Sequence, residues 1–569
     1  MRMMASLPQD ATEMMSWSWV NIAPYYDNLA AWTLSADRIA DFLADWTRLS
    51  ERVGEVQTRL RVATTLNTAD EDAQHRYHAF LDDIYPAVQR AEQSLREKLL
   101  ASGHEPPGFE VPLRKMRTTV AVFREANLPL QTAEQKLGLE YEKIIGAQTV
   151  QWEGREITIA RLRPVFHHSD QTTRERAWRL ATDRQLADRP ALNALWQQLL
   201  HLRQQMAANA GFDDYLAFKW QQLHRFDYTP ADCARFHRAI EEVAGPAATR
   251  IYEGRRRSLG VGTLRPWDLD VDPLGRPPLR PFRESADLVA KAAAIFHRVD
   301  PQLGAYFETM IREDLLDLDN RKHKAPGGYN TAFPAAKRPF IFMNAVGVHR
   351  DVQTLLHESG HAFHVFERIH LPYFQQRQVG AEFSEVASMA MELLAAPYLS
   401  TAHGGFYAEA DAVRARVEHL QQSVLFWPYR AVVDAFQHWA YTNPAASTDP
   451  DNCDAHWGAL WKRFMPGVDW SGLEQALITG WQRKQHIYTY PLYYVEYGLA
   501  LLGSVQIWGN ALRDQAAAVE RYRRALALGG TVSLPELYET AGARFALDAA
   551  TLRTAVTLME ETIAALNPS

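Results

Sequence analysis

Only two of the 569 residues are cysteine, Cys233 and Cys453. Two thiols cannot build a disulfide framework, and their scarcity suits a reducing compartment. No run of about 18 uncharged apolar residues occurs, so no segment is expected to span a membrane. The opening residues 1–20 contain Asp10, Glu13 and two tryptophans without a continuous apolar core, which argues against a secretory signal. Excess positive charge is lacking too: the net charge is -7 with both signs spread along the chain, which disfavours a nucleic-acid surface. Repeats of fixed period and low-complexity tracts are absent, which removes the solenoid architectures. What remains is a chain of 47% hydrophobic composition, long enough to bury an extensive core and expected in the cytoplasm.

Helical periodicity dominates. Ser35 is placed to cap a helix whose Ile39, Phe42, Leu43, Trp46 and Leu49 share one face. Thr68 and Glu71 form a capping-box pattern ahead of Tyr77, Phe80, Leu81 and Ile84. Residues 103–108, Gly-His-Glu-Pro-Pro-Gly, punctuate the helices and mark a first internal boundary. Residues 150–159 read as a hairpin turning at Glu153-Gly154, one of few strand signals. Helical spacing resumes through Leu192, Leu195, Leu199, Leu202 and Met206, and the Pro- and Gly-rich residues 259–282 read as an ordered loop. The expected organisation is an N-terminal helical region over 1–148 and a second helical region over 149–569 that carries the chemistry.

That chemistry centres on Leu355-Leu356-His357-Glu358-Ser359-Gly360-His361-Ala362-Phe363-His364. On a helix, His357 and His361 lie about 40° apart on one face and one turn along the axis, so they can share one ion. Glu358 projects about 100° round from His357 and can reach a water on that ion instead. Zinc suits two neutral imidazoles and needs a third protein ligand plus an open position. Zinc brings the pKa of a bound water to about 7, and Glu358 is then the base. The apolar neighbours Leu355, Leu356, Ala362, Phe363 and Val365 make surface histidines a poor alternative, because buried His and Glu without partners are costly. His364 shares the face of His361, so spacing also allows a His361/His364 pair, which would leave Glu358 without a role.

A third histidine in the short pattern His-x-x-Gly-x-x-His is excluded, because His364 and Glu367 occupy those positions. Carboxylates remain. The apolar helix at residues 382–394 carries Glu382, Glu385 and Glu392, and spacing leaves all three open as ligand or as hydrogen-bond partners of the ligand histidines.

His-Glu-x-Gly-His-Ala-Phe-His followed by Phe-x-Glu-Val-Ala-Ser resembles the thimet oligopeptidase and oligoendopeptidase F group of zinc metallopeptidases, especially its Pz-peptidase-like bacterial branch. Lys324-Ala325-Pro326-Gly327-Gly328-Tyr329, the run Pro339 to Asn344 and the run His486 to Tyr494 resemble family segments in family order. The likeness is specific from about residue 150 to 510 and loose towards the termini. It implies a mainly α, two-lobed helical peptidase with a deep central cleft and a small β-sheet beside the motif helix. It also implies one zinc per chain held by His357, His361 and Glu385.

Three further segments face the expected substrate. Phe340-Ile341-Phe342-Met343-Asn344 reads as an edge strand along which an extended peptide could lie, or equally as an internal strand. Gly327-Gly328 would let backbone approach that peptide closely, with Asn344 beside it; a turn is the plainer reading. Pro491 suits the first turn of a helix through Leu499, Leu501 and Leu502, on which Tyr490, Tyr494 and Tyr497 form one stripe a turn after His486. Such a stripe is usually core, but hydrolysis of a peptide creates an oxyanion that phenols can meet. The resemblance implies that Tyr494 and Tyr497 contact the substrate carbonyl, with His486 as an auxiliary donor and Tyr490 on the substrate path. The expected activity is cleavage of internal bonds in short unfolded peptides, with Glu358 as general base. A zinc aminopeptidase is the rival enzyme, and a helical peptide-binding module without turnover the rival from another class. Short peptides are the expected partners, with no nucleic acid and no membrane.

Overall fold

The computed structural model describes residues 4–566, so the first three residues of the opening stretch lie outside it. Helices dominate, and eight position the site: α1 (Ile39–Leu66), α2 (Leu128–Gly146), α3 (Pro230–Leu259), α4 (His349–Arg368), α5 (Ala381–Ala395), α6 (Glu409–Thr442), α7 (Gln485–Thr489) and α8 (Tyr494–Ala511). Among the described residues no helix is long and apolar enough to cross a membrane.

The apolar faces read from spacing are inward. Phe42, Trp46, Leu81, Leu99 and Phe109 share one hydrophobic cluster, so residues 103–108 turn between helices of a single packed unit. Val62, Val122 and Tyr141 of the same N-terminal stretch belong instead to the main cluster, with Leu199, Phe363, Val386 and Trp427.

Two expected caps fall elsewhere. The Ser35 hydroxyl donates to Asp37, and α1 starts after Arg38. Asp70 caps the next helix by accepting the Ala73 N–H at 2.9 Å. Asp is as good a cap as Thr and stands nearer the first turn. That frees Thr68 to donate to the His323 carbonyl at 2.9 Å, tying the end of α1 to the loop ahead of the main sheet.

Strands β1 (Thr149–Trp152) and β2 (Arg155–Thr158) form the expected hairpin. Glu153 and Gly154 both have positive φ, 50° and 75°, the backbone sense a two-residue hairpin turn needs. The second sheet joins β3 (Leu316–Asp319), β4 (Tyr329–Phe333) and β5 (Arg338–Ala345) in the order β3-β5-β4. β5 runs parallel to β3 and antiparallel to β4, so residues 340–344 are the centre of the sheet and not the edge proposed above. An unbroken apolar run is what a strand covered on both faces requires. The edges are β3 and β4, and β4 begins immediately after Gly327-Gly328.

The loop over residues 259–282 is ordered. A short 3-10 turn covers Pro266–Asp268, Arg174 pairs with Asp268 at 2.8 Å, and Arg414 of α6 pairs with Asp272 at 2.8 Å.

Candidate metal centre

β5 leads into α4 through a tight turn held by one carboxylate. Asp351 Oδ2 accepts the N–H groups of Val346, Gly347 and Val348 at 2.7, 2.8 and 3.0 Å, which ties the turn and the N-cap residue to the first turn of the helix. With its start fixed, α4 presents His357 and His361 on one side, their ring centroids 5.0 Å apart.

α5 crosses α4 at Gly360. A Cβ there would stand 2.5 Å from the Ala387 carbonyl oxygen and 2.6 Å from Ser388 Cα, so only glycine permits the crossing. The crossing delivers Glu385, which is 2% exposed. Its Oε2 lies 3.3 Å from His357 Nε2 and its Oε1 3.6 Å from His361 Nε2. The donor atoms of these three side chains all lie within 4.8 Å of one another.

The other two acids of α5 separate cleanly. Glu392 Oε1 accepts the His357 Nδ1–H at 2.6 Å, directing the other ring nitrogen at Glu385, while His419 of α6 approaches the second oxygen at 3.5 Å. Glu382 is turned elsewhere, accepting from the Tyr228 hydroxyl at 2.7 Å. His364 is buried with its ring edge against Phe383, so it does not pair with His361.

Two side chains that spacing did not single out hold the third donor. The Tyr493 hydroxyl donates to Glu385 Oε1 at 2.6 Å, and Ser388 Oγ to Oε2 at 3.1 Å. The serine stands one turn after Glu385, a signal visible in sequence. The tyrosine lies 108 positions away, and no local pattern points to it.

The charges match a cation. Burial opposes ionisation of Glu385, but His361, His357 and Tyr493 outweigh it and hold the carboxyl down at about 2. Burial holds His361 at about 4, so its imidazole is neutral. His357 is also pulled down by burial, yet Glu385 and Glu392 raise it well above the ordinary range; its proton sits where a metal would. Two imidazoles and a carboxylate, each with a hydrogen-bonded partner or neutral by burial, are a donor set that can hold a divalent metal ion.

Glu358 is 6% exposed and not part of that set. Burial pushes its carboxyl up from 4.5 to about 7, and the Asn330 backbone of β4 bonds it. Gly327 and Gly328 stand beside it for different reasons. Gly327 has φ +87°, and a Cβ on Gly328 would press within 3.1 Å of Thr354 Cγ2 and 3.6 Å of Glu358 Oε1. Asn344 does not face an open path: its Nδ2 donates to the carbonyls of Ala325 and Gly327 at 2.9 Å, and its Oδ1 accepts from Asn320. It fixes the glycine turn.

The tyrosine stripe breaks. α8 starts at Tyr494, and α7 ends at Thr489, so Tyr490 and Pro491 lie in the connecting turn and not on the helix. Leu492 has φ 65°, with its N–H on Gln437 Oε1 at 2.7 Å and its carbonyl on Arg225, a geometry that no helix continues. Tyr490 is 50% exposed and turns towards Arg61 of α1. Arg61 itself pairs with Glu142 of α2 at 2.6 Å, and Gln485 of α7 donates to the same acid, so both ends of the chain meet at the site. The Tyr497 hydroxyl stands 3.1 Å from His486 Nε2. Burial raises the Tyr497 phenol, with Glu385, Tyr494 and Glu358 acting in the same direction, so it stays protonated. His486 is held at about 3 by burial, hence neutral. Tyr494 is packed with Phe426, Tyr429 and Tyr497, and Lys484 bonds its hydroxyl.

A sequence model described as Peptidase family M3 matches residues 165–557, well over half of the chain. Among curated proteins, an oligoendopeptidase F homolog of Borreliella burgdorferi is 22% identical over 299 residues, covering 50% of this chain and 48% of the relative. Oligopeptidase PepF of Bacillus subtilis is 24% identical over 270 residues, covering 46% and 38%. The chain thus spans about half or less of the curated relatives it matches. Solved structures share the whole fold. Pz peptidase A with an inhibitor superimposes with TM-score 0.89 at 24% identity over 99% of both chains, and a structure described as oligoendopeptidase F with 0.89 at 26% over 98% of both.

Proposed function

The chain belongs to peptidase family M3, and on that premise we propose that it is a zinc-dependent oligoendopeptidase acting on internal bonds of short unfolded peptides. The observation that carries this reading is the meeting of His357, His361 and Glu385 from two helices, with Glu358 held beside them but outside the donor set.

Zinc held by those three side chains would supply Lewis-acid polarisation of a peptide carbonyl and of the attacking water. Glu358 takes the proton of that water and returns it to the leaving amine. Its raised carboxyl, near 7, suits both directions of transfer. Tyr497 donates its hydroxyl hydrogen to the carbonyl oxygen as charge builds there, and His486 fixes the phenol from behind. Tyr494, one turn earlier on α8, is the second phenol of this proposal.

The outer edge of β4 is the surface along which the substrate main chain would pair. Gly327 and Gly328 bring the backbone close there, with Asn344 holding that turn. Tyr490, half exposed opposite Arg61, is where the peptide would pass between the N-terminal helices and α8. The free, buried cysteines agree with a cytoplasmic setting.

The test is cleavage of a blocked, internally quenched peptide of about ten residues, with chelator and zinc add-back, beside a folded protein. Internal cleavage of the peptide alone, abolished by chelation and restored by zinc, is the expected result. Cleavage confined to unblocked amino termini would replace the reading by an aminopeptidase, and metal bound without turnover by a binding module.

A further inference from the structure

A second group of metal-competent side chains lies away from α4 and α5, where α3 packs along α6. Cys233 and His237 stand one turn apart on α3, and Asp434 and His438 one turn apart on α6, so each helix turns a pair of donors to the other. The donor atoms of Cys233, Asp434 and His438 all lie within 4.8 Å of one another, a limit that those of His357, His361 and Glu385 also meet. Among the described residues these are the two groups that meet this condition.

The second group is deep. Cys233 is fully buried and Asp434 is 1% exposed. Asp434 Oδ2 accepts from His237 Nε2 at 2.8 Å, but Oδ1 is buried with no hydrogen-bond partner. His438 Nε2 is likewise buried without a hydrogen bond, its nearest acceptor being Asp434 Oδ2 at 3.4 Å. Trp220 and Phe464 edge onto the two imidazoles and offer them no polar contact. Arg225 acts on the group from outside; its Nη2 pairs with Glu496 at 2.6 Å, while its Nε and Nη1 are buried without a hydrogen bond. A buried carboxylate oxygen without a partner, beside an imidazole nitrogen that makes only a 3.4 Å contact and no hydrogen bond, is costly, and a shared cation satisfies both.

We propose that Cys233, Asp434 and His438 form a structural zinc site that fastens α3 to α6, beyond the single ion expected at α4. Sulfur, nitrogen and oxygen donors together select zinc over the hard cations calcium and magnesium. On binding, the Cys233 thiol releases its proton to solvent, and the resulting thiolate with the Asp434 carboxylate balances the divalent charge. His237, bonded to the carboxylate, orients it as an outer-shell partner. The clamp also steadies the back of the catalytic region, because α6 carries His419, against Glu392, and Arg430, whose guanidinium lies 3.5 Å above the Phe426 ring and 5.6 Å from Tyr497.

Cobalt substitution of the full-length protein tests this without reference to peptidase activity. The chain has two cysteines, and the second, Cys453, has its thiol turned to the Ser447 carbonyl. A near-ultraviolet thiolate-to-cobalt charge-transfer band can therefore only report Cys233. The expected result is that band in the wild type and in His361→Ala, its loss in Cys233→Ser, and two metal equivalents per chain falling to one in each variant. A cobalt-loaded wild type without the band overturns the proposal with no variant involved. So does a metal content that Cys233→Ser leaves unchanged.

Discussion

Glu358 is the residue on which the proposed chemistry turns. Glu358→Gln keeps the shape and leaves His357, His361 and Glu385 untouched. It should retain zinc by elemental analysis while kcat falls by several orders of magnitude, since it removes a base and no ligand. A variant that stays active would assign the base elsewhere. The pH dependence has a definite sign. A general base works deprotonated, so kcat/KM should fall as acid protonates Glu358. Burial puts that carboxyl at about 7, with Glu385 and Glu392 acting the same way and His357 against them, and a bound metal cation would draw it back towards 4.5. The acid limb of the profile should therefore lie between those two values, and Glu358→Gln should abolish it. Among the tyrosines, Tyr497→Phe should cost kcat about 100- to 1,000-fold with little change in KM, the scale of losing one oxyanion donor. Tyr494→Phe should cost less, because Lys484 engages that hydroxyl. Tyr493→Phe should weaken zinc affinity about 10- to 100-fold, as expected for an outer-shell partner of Glu385. That His357 and His361 share a face and that Glu358 stands outside the donor set was legible because helical spacing fixes which side chains project together. Tyr493 was not, because its bond to Glu385 depends on how α5 meets the start of α8.

At the scale of elements, the crossing of α4 and α5 decides whether three donors converge at all. Gly360→Ala places a methyl group 2.5 Å from the Ala387 carbonyl oxygen, so the helices must move apart. Overpacking of this kind costs about 1–3 kcal/mol, and the loss should appear as a lowered Tm. Because Glu385 rides on α5, zinc affinity should fall as well, and a glycine variant of unchanged affinity would show that the helices need not touch there. The helices themselves followed from periodicity. What periodicity could not settle is where a pattern is interrupted by distant partners. Tyr490, Tyr494 and Tyr497 keep a helical interval, yet the chain turns at Leu492 because Gln437 and Arg225, far away in sequence, take its backbone groups. The same holds for residues 340–344. Their apolar run identifies a strand, but whether it is central or at the edge is set by β3 and β4, and only pairing reveals it.

For the whole molecule, the question is whether residues 1–148 and 149–569 behave as separate units, as the sequence organisation suggests. The contacts across that division are extensive. Val62, Val122 and Tyr141 sit in the main hydrophobic cluster, Thr65 bonds the Tyr329 hydroxyl of β4, and Thr68 holds the loop at His323. Arg61 and the buried Glu142 form a pair that Gln485 joins from the C-terminal side. Units that share buried apolar surface and a partly buried ion pair gain most of their stability together, so melting one exposes the other's core. Calorimetry of the full chain should therefore give one endotherm, and two resolved transitions would mean that the N-terminal helices unfold alone. Glu142→Ala sharpens the test: it strands the partly exposed Arg61 guanidinium beside Tyr490, a loss of about 1–3 kcal/mol. If the endotherm stays single and shifts as a whole, the two regions are one cooperative body, and the site between them is shaped by both. If only a leading shoulder moves, the N-terminal helices are a separable cover, and peptide entry would be governed by their detachment.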